Sequence, residues 1–151
     1  MRQVWFIDTS VLANILNVPG KCQKHDEIIK ELREHTERKD ILILPLATII
    51  ETGNHISHIS NGDARWKCAN NMKILLENTI NNKAPWAYNN NEIDKDSILR
   101  IADKFPDAAM CDKMGMGDLS IIEASRKYKD EHNGLVTVHI WTLDHHLKSY
   151  E

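Results

Sequence analysis

Short apolar runs that alternate with helical patterns constrain the fold of this chain more than any other feature. Residues 4–7, 41–44 and 135–141 form the three clear runs. Each has the length and apolar content of a strand that is buried within a sheet. Between these runs, apolar residues recur at helical spacing. This alternation predicts an α/β fold with a mainly parallel sheet.

The helical patterns place the remaining predicted elements. The predicted helices occupy five segments: 26–38, 48–60, 63–80, 94–105 and 118–129. A weak edge strand is expected at 86–88, and residues 106–117 are expected to form a loop or a broken helix. Because no repeat, low-complexity tract or linker interrupts the 151 residues, we expect a single domain that spans residues 1–151.

Composition narrows the class of protein. The three cysteines, Cys22, Cys68 and Cys111, lie far apart, which predicts reduced thiols in a cytoplasmic protein and argues against zinc held by cysteine. No apolar run approaches the roughly 18 residues of a membrane-spanning helix, and the N-terminal residues lack a signal-peptide layout. We therefore expect no membrane association. The net charge of −3 mildly disfavours nucleic-acid binding, although an acidic metal site would itself lower the net charge.

Four carboxylates follow predicted strands or begin predicted helices. Asp8 and Asp144 come at the ends of strands, and Glu51 and Asp118 lie in the first turns of helices. Because functional groups collect at the carboxyl ends of parallel strands, these four side chains are expected to converge. Such a cluster repels itself unless a cation is present. Oxygen ligands favour Mg²⁺ or Mn²⁺, and such ions can activate water and stabilise the leaving oxygen of a phosphodiester.

Each acid also has a purely structural interpretation. Asp8 could begin a turn, Asp144 could begin a loop, and Asp118 could cap a helix. Residues 48–51 (TIIE) match a capping box, in which Glu51 would serve the start of a helix. The case for a metal site therefore depends on all four acids occurring together in this order.

The ordered set of motifs around these acids resembles the PIN-domain nuclease family. The four motifs are IDTSVL at 7–12, ATIIE at 47–51, GDLSII at 117–122 and TLD at 142–144. The resemblance implies a PIN-like three-layer fold, in which helices flank a mainly parallel central sheet of order 3-2-1-4-5.

The same resemblance implies an activity and a site. It implies a metal-dependent endoribonuclease that cleaves single-stranded RNA, with Mg²⁺ or Mn²⁺ held by the four acids of the motifs: Asp8, Glu51, Asp118 and Asp144. Ser10 and Thr142 would be supporting polar residues beside them. Many bacterial members are VapC-type toxins that a small antitoxin inhibits, and dimers are common. The expected partners are therefore RNA, an antitoxin and a second copy of the chain.

This chain departs from the family pattern at two places. Its middle segment, 61–117, is longer than in the compact toxins. Ser120 and Ile121 stand where many members carry a further acid, so the sequence leaves open whether one or two metal ions bind.

Residues outside the motifs supply further candidates. Lys21 and Lys24 follow the first motif in a loop and are candidate contacts to RNA phosphates. His55 and His58 could approach the site from the helix that bears Glu51, but positions that face solvent are favoured for both. Two other functions compete with the nuclease. One is a catalytically weak PIN domain that acts as a nucleic-acid- or protein-binding module. The other is a haloacid-dehalogenase-type phosphatase, which is disfavoured because Ser10 stands where that family requires a second aspartate.

Overall fold

The computed structural model describes residues 1–150, except for the side chain of Asp112. Four strands are present in this part of the chain: β1 (Arg2–Ile7), β2 (Ile41–Ile43), β3 (Trp86–Ala87) and β4 (Val136–Trp141). They form one sheet of order β3-β2-β1-β4, and every neighbouring pair is parallel. The expected α/β class and parallel sheet are thereby confirmed.

The expected fifth strand is absent from residues 1–150, so the predicted order 3-2-1-4-5 is wrong in its last member. After β4 the chain instead forms a short helix of four residues. The segment 142–150 is mostly polar and holds no apolar run that could form a buried strand. Its one fully buried side chain, Leu147, packs against the core.

Seven α-helices are found in the described residues: α1 (Thr9–Ile15), α2 (His25–Glu37), α3 (Leu46–Ser57), α4 (Gly62–Ile80), α5 (Lys95–Asp107), α6 (Met116–Glu131) and α7 (His145–Lys148). A π-helical turn, Ala108–Asp112, separates α5 from α6, as the prediction of a broken helix anticipated. The helix α1 was not predicted. None of these helices has both the length and the apolar character that crossing a membrane requires.

Side-chain caps account for the starts of α4 and α5, the two helices that were predicted in the middle segment. The Asn61 side chain accepts a hydrogen bond from the Ala64 backbone N at 2.9 Å and begins α4. Asp94 and Ser97 form a reciprocal capping box at the start of α5. Such caps satisfy backbone N–H groups that have no partner inside the helix.

The sheet separates two apolar cores because alternate strand residues face opposite sides. On β1, Val4 and Phe6 face the core that includes Ile121 of α6, whereas Ile7 faces the core that includes Leu12 of α1. Helices therefore cover both faces of the sheet.

The carboxyl ends of β1 and β4 lie side by side. Ile7 pairs with Trp141 in the sheet register, and the Asp8 backbone N donates to the Trp141 carbonyl at 3.0 Å. The short connection from β2 leads directly into α3 at the same edge. The residues that follow these strands are therefore close in space.

Candidate active site

A cavity of about 410 Å³ lies at this edge of the sheet. All four predicted acids line it: Asp8, Glu51, Asp118 and Asp144. Each comes from a different part of the fold, namely the end of β1, the helix α3, the first turn of α6 and the end of β4. The structure thus brings together the acids that the sequence motifs singled out.

Asp8 is held by two hydroxyl groups rather than by a helix start. Its side chain is buried, with 5% of the residue exposed. Its Oδ2 accepts hydrogen bonds from Ser10 Oγ at 2.9 Å and from Thr142 Oγ1 at 2.7 Å. Although Asp8 precedes α1, its side chain makes no capping bond. Ser10 and Thr142 therefore lie where supporting residues were predicted, and they fix the orientation of the carboxylate.

Glu51 does not take part in the capping box that the sequence allowed. The helix α3 begins at Leu46, two residues before Thr48. The Thr48 hydroxyl is fully buried and donates to the carbonyl of Ile7 at 2.7 Å. Glu51 instead turns its Oε2 toward Thr9, whose Oγ1 donates to it at 2.8 Å. Sequence reasoning missed Thr9, for which the only signal was its place beside Asp8 in the first motif.

Gly117 lets α6 approach the Glu51 carboxylate. A Cβ atom at Gly117 would lie 1.9 Å from Glu51 Oε1, so any other residue would displace that carboxylate. The neighbouring Asp118 lies in the first turn of α6, whose N-cap is Gly115. Asp118 is therefore not the cap of this helix.

The pKa of Asp118 is shifted by its burial and by the other three acids. Burial and then the charges of Asp8, Glu51 and Asp144 raise the pKa of Asp118 to about 6. The charge of His146 acts in the opposite direction. Neighbouring like charges disfavour ionisation in this way when no cation offsets them.

Asp144 both caps a helix and lines the cavity. Its side chain accepts a hydrogen bond from the His146 backbone N at 2.9 Å and caps α7. The residue is exposed and also lines the cavity. Asp144 therefore has a structural role, as a helix cap and not as the start of a loop, and this role does not exclude a second one in the cavity.

The donor chemistry of the cavity fits a hard divalent cation, because four carboxylates line it. Both hydrogen bonds to Asp8 reach Oδ2, so neither of them occupies Oδ1. Among the described side chains of residues 1–150, however, no three from histidine, cysteine, aspartate or glutamate are spaced to hold one metal ion. Side-chain rotation would have to bring the carboxylates closer together for a shared ion.

The two predicted lysines differ in position. Lys21 lines the cavity together with Gln23. Lys24 does not line it, and its ammonium group lies 3.5 Å from the carboxylate of Glu27. Only Lys21 is therefore placed to meet a ligand in the cavity.

His55 is half-buried and lines the cavity, so of the two alternatives that the sequence allowed, it takes the one close to the acids. It is one helical turn beyond Glu51 and shares its face of α3. Burial, followed by the charge of Lys21, lowers the pKa of His55. His58 is exposed, as predicted.

Asn14 organises the loop that carries Lys21. This buried residue donates from Nδ2 to the Ser10 carbonyl at 2.8 Å and accepts from the Lys24 backbone N at 2.9 Å. Its own carbonyl contacts the His25 ring. The loop between α1 and α2 is thereby attached to the first helix beside the acids. Sequence reasoning did not identify Asn14.

Comparison with protein-family models finds no match for this sequence, and a search of curated proteins finds none either. The interpretation of the site therefore depends on its geometry and on the motif resemblance.

Proposed function

We propose that this chain is a Mg²⁺- or Mn²⁺-dependent endoribonuclease with a PIN-like fold, which hydrolyses phosphodiester bonds of single-stranded RNA. The observation that carries the proposal is the convergence of four carboxylates on one cavity, with the pKa of Asp118 raised to about 6. The sheet order β3-β2-β1-β4 agrees with the first four strands of that fold and supports the proposal.

The residues of the cavity have two roles: some would hold a cation, and others orient the carboxylates that hold it. Asp8, Glu51, Asp118 and Asp144 would hold the metal through carboxylate oxygens. When bound, Mg²⁺ or Mn²⁺ would lower the pKa of a water and offset charge on the leaving oxygen. The hydroxyls of Ser10 and Thr142 orient Asp8, and the hydroxyl of Thr9 orients Glu51.

The rim of the cavity offers contacts to the RNA backbone. The ammonium group of Lys21 can meet a phosphate despite the net charge of −3, because phosphate binding depends on local positive charge. His55 lines the same cavity, and its ring nitrogens offer a further hydrogen-bonding group to a ligand.

The test compares wild type with Glu51→Gln, which keeps the shape of the side chain but removes its charge. Wild type is expected to cleave single-stranded RNA with Mn²⁺ and to lose this activity in EDTA, and Glu51→Gln is expected to be inactive. Mn²⁺ at about 100 times its Kd should stabilise wild type by about 2–3 kcal/mol, which raises Tm by roughly 5–10 °C. Glu77→Gln, at an exposed position on α4, is the control and should behave as wild type. Cleavage that survives chelation would refute the metal mechanism.

A second candidate is a binding module that does not cleave RNA. The absence of a ready three-ligand group in residues 1–150 favours this alternative. It predicts salt-dependent binding of single-stranded RNA, no cleavage with either metal and no rise in Tm with Mn²⁺. The same measurements therefore separate the two functions.

On the basis of the motif resemblance we also propose inhibition by a small antitoxin, formation of a homodimer and a cytoplasmic location. Co-expression with the product of an adjacent small reading frame tests the antitoxin, and light scattering tests the homodimer.

A further inference from the structure

A second cavity, of about 260 Å³, lies beside β4 between α5, α6 and the residues after α7. We call it the lysine pocket. Six of its lining residues define it: Lys104, Arg126, Lys129, Val138, Ile140 and Tyr150. It therefore combines three cationic side chains, an apolar wall from β4 and one aromatic ring.

Two of the three cations in the lysine pocket have no ion pair in the part of the chain that the structure describes. Arg126 is paired with Glu123 and Asp130. Among the described side chains of residues 1–150, neither Lys104 nor Lys129 has a carboxylate partner. Both lysines are exposed. The pocket thus presents two positive charges that no described carboxylate pairs with, in a protein whose net charge is −3.

His146 and Tyr150 link the lysine pocket to the acidic cavity. Their rings contact each other edge to face, with centroids 5.8 Å apart and planes at 81°. The His146 backbone N donates to the side chain of Asp144, which lines the acidic cavity, at 2.9 Å. Along α6, Arg126 and Lys129 follow Asp118 by about 12 Å and about 17 Å. One pair of aromatic residues therefore contacts an acid at one end and belongs to the lysine pocket at the other.

We propose that the lysine pocket is a subsite for a nucleotide of the single-stranded RNA at a distance from the scissile phosphate. This inference rests on the proposed function, because the acidic cavity sets where the RNA strand passes. Lys104 and Lys129 contact backbone phosphate, and a base packs against Tyr150 and the apolar wall. Proteins that bind single strands combine positive grooves and aromatic side chains in this way.

The features of the pocket favour RNA over another phosphorylated ligand. A phosphopeptide would also satisfy Lys104 and Lys129. It would not account for the aromatic pair, His146 and Tyr150, which links the pocket to Asp144 at the acidic cavity. A nucleic-acid strand uses the charges and the rings together.

The first test measures the salt dependence of RNA binding in EDTA, so that cleavage does not interfere. The probe is a fluorescent single-stranded RNA of about 12 nucleotides, a length within the range of known single-strand sites. Lys104→Ala with Lys129→Ala should flatten the slope of log K against log salt by about 1.4, since each lost contact contributes about 0.7. Lys30→Ala with Lys73→Ala removes the same charge from α2 and α4 and should leave the slope unchanged.

The second test measures cleavage of two substrates with Mn²⁺. The Lys104/Lys129 variant should cleave a dinucleotide as fast as wild type, because a dinucleotide does not reach the lysine pocket. It should cleave the longer RNA more slowly at substrate concentrations below KM. Lys104→Gln with Lys129→Gln keeps the side-chain stems and replaces the alanine variant if circular dichroism shows that the latter is unfolded.

The outcomes separate the subsite from the proposed function. A flattened slope without any cleavage by wild type would support the pocket and refute the nuclease. Cleavage that depends on the acids, together with an unchanged slope, would refute the pocket alone. A phosphopeptide that binds wild type in a Lys104- and Lys129-dependent manner, when RNA does not, would also overturn the subsite.

Discussion

Replacing Asp118 by asparagine removes a charge from the point where the four acids meet. The pKa of Asp118 is raised from 3.8 to about 6 by burial and by the neighbouring carboxylates. A shift of about two units corresponds to about 3 kcal/mol. Because Asp118 is only partly buried, solvent screening reduces this to about 1–2 kcal/mol. Asp118→Asn should stabilise the metal-free protein by that amount at pH 7.

The direction of the pH dependence follows from which state, folded or unfolded, loses the Asp118 proton at the lower pH. As pH rises from about 4 to about 6, Asp118 ionises in the unfolded chain before it does so in the folded protein. The folded state binds more protons in this range, so stability falls as pH rises and the full penalty is present above pH 6. The difference between Asp118→Asn and wild type should therefore be present at neutral pH and vanish below about pH 4.

Urea unfolding in EDTA at a series of pH values between about 3 and 8 measures this difference. Asp96→Asn is the matched control, because Asp96 lies exposed in the first turn of α5. Loss of the Asp96 charge should lower the free energy of unfolding by up to about 1 kcal/mol, because that charge interacts favourably with the helix dipole. Asp96→Asn should therefore not stabilise the protein at pH 7. An Asp118→Asn protein that is less stable than wild type at pH 7 would refute the electrostatic argument. A gain of equal size at pH 4 would refute it as well.

Two further predictions concern single residues at the acidic cavity. Gly117→Ala should keep the fold but displace the Glu51 carboxylate, whose Oε1 would lie 1.9 Å from the new Cβ. An RNA-cleavage assay should therefore show loss of activity, and thermal unfolding should show an unchanged or higher Tm. Full activity would contradict the close approach. Lys21→Ala should flatten the salt dependence of RNA binding by about 0.7, whereas Lys24→Ala should not, because Lys24 pairs with Glu27 outside the cavity; equal effects of the two variants would argue against this assignment.

Much of the fold follows from local patterns. The strands β1, β2 and β4 were predictable because their apolar side chains fill both cores. The helix α1 was not, because Thr9–Ile15 is short and its polar residues Thr9 and Asn14 are buried for tertiary reasons. The fifth strand was expected only from the resemblance, and residues 142–150 lack the apolar residues that would form it.

The site was predictable in its acids and in two of their supports, Ser10 and Thr142, but not in Thr9. Asp8 and Asp144 follow strands and Asp118 lies in the first turn of α6, where sequence position determines spatial position. Glu51 was expected in a first turn but lies beyond the start of α3. The sequence at 48–51 was indistinguishable from a true capping box. Only the structure shows that α3 begins at Leu46 and that the Thr48 hydroxyl donates to the Ile7 carbonyl instead. Thr9 reaches Glu51 through packing between α1 and α3, which local patterns do not encode.

The hydrogen bonds of Asn14 have a consequence for how the protein meets a ligand. They attach the loop between α1 and α2 to a buried amide, so the backbone around Lys21 is already ordered before any ligand arrives. An unattached loop would lose conformational freedom on binding, at roughly 1–2 kcal/mol for each residue ordered. Here that entropy is lost when the chain folds. A ligand that contacts Lys21 then restricts little more than the lysine side chain itself, about 0.5–1.5 kcal/mol, and a weak phosphate contact can retain most of its gross free energy.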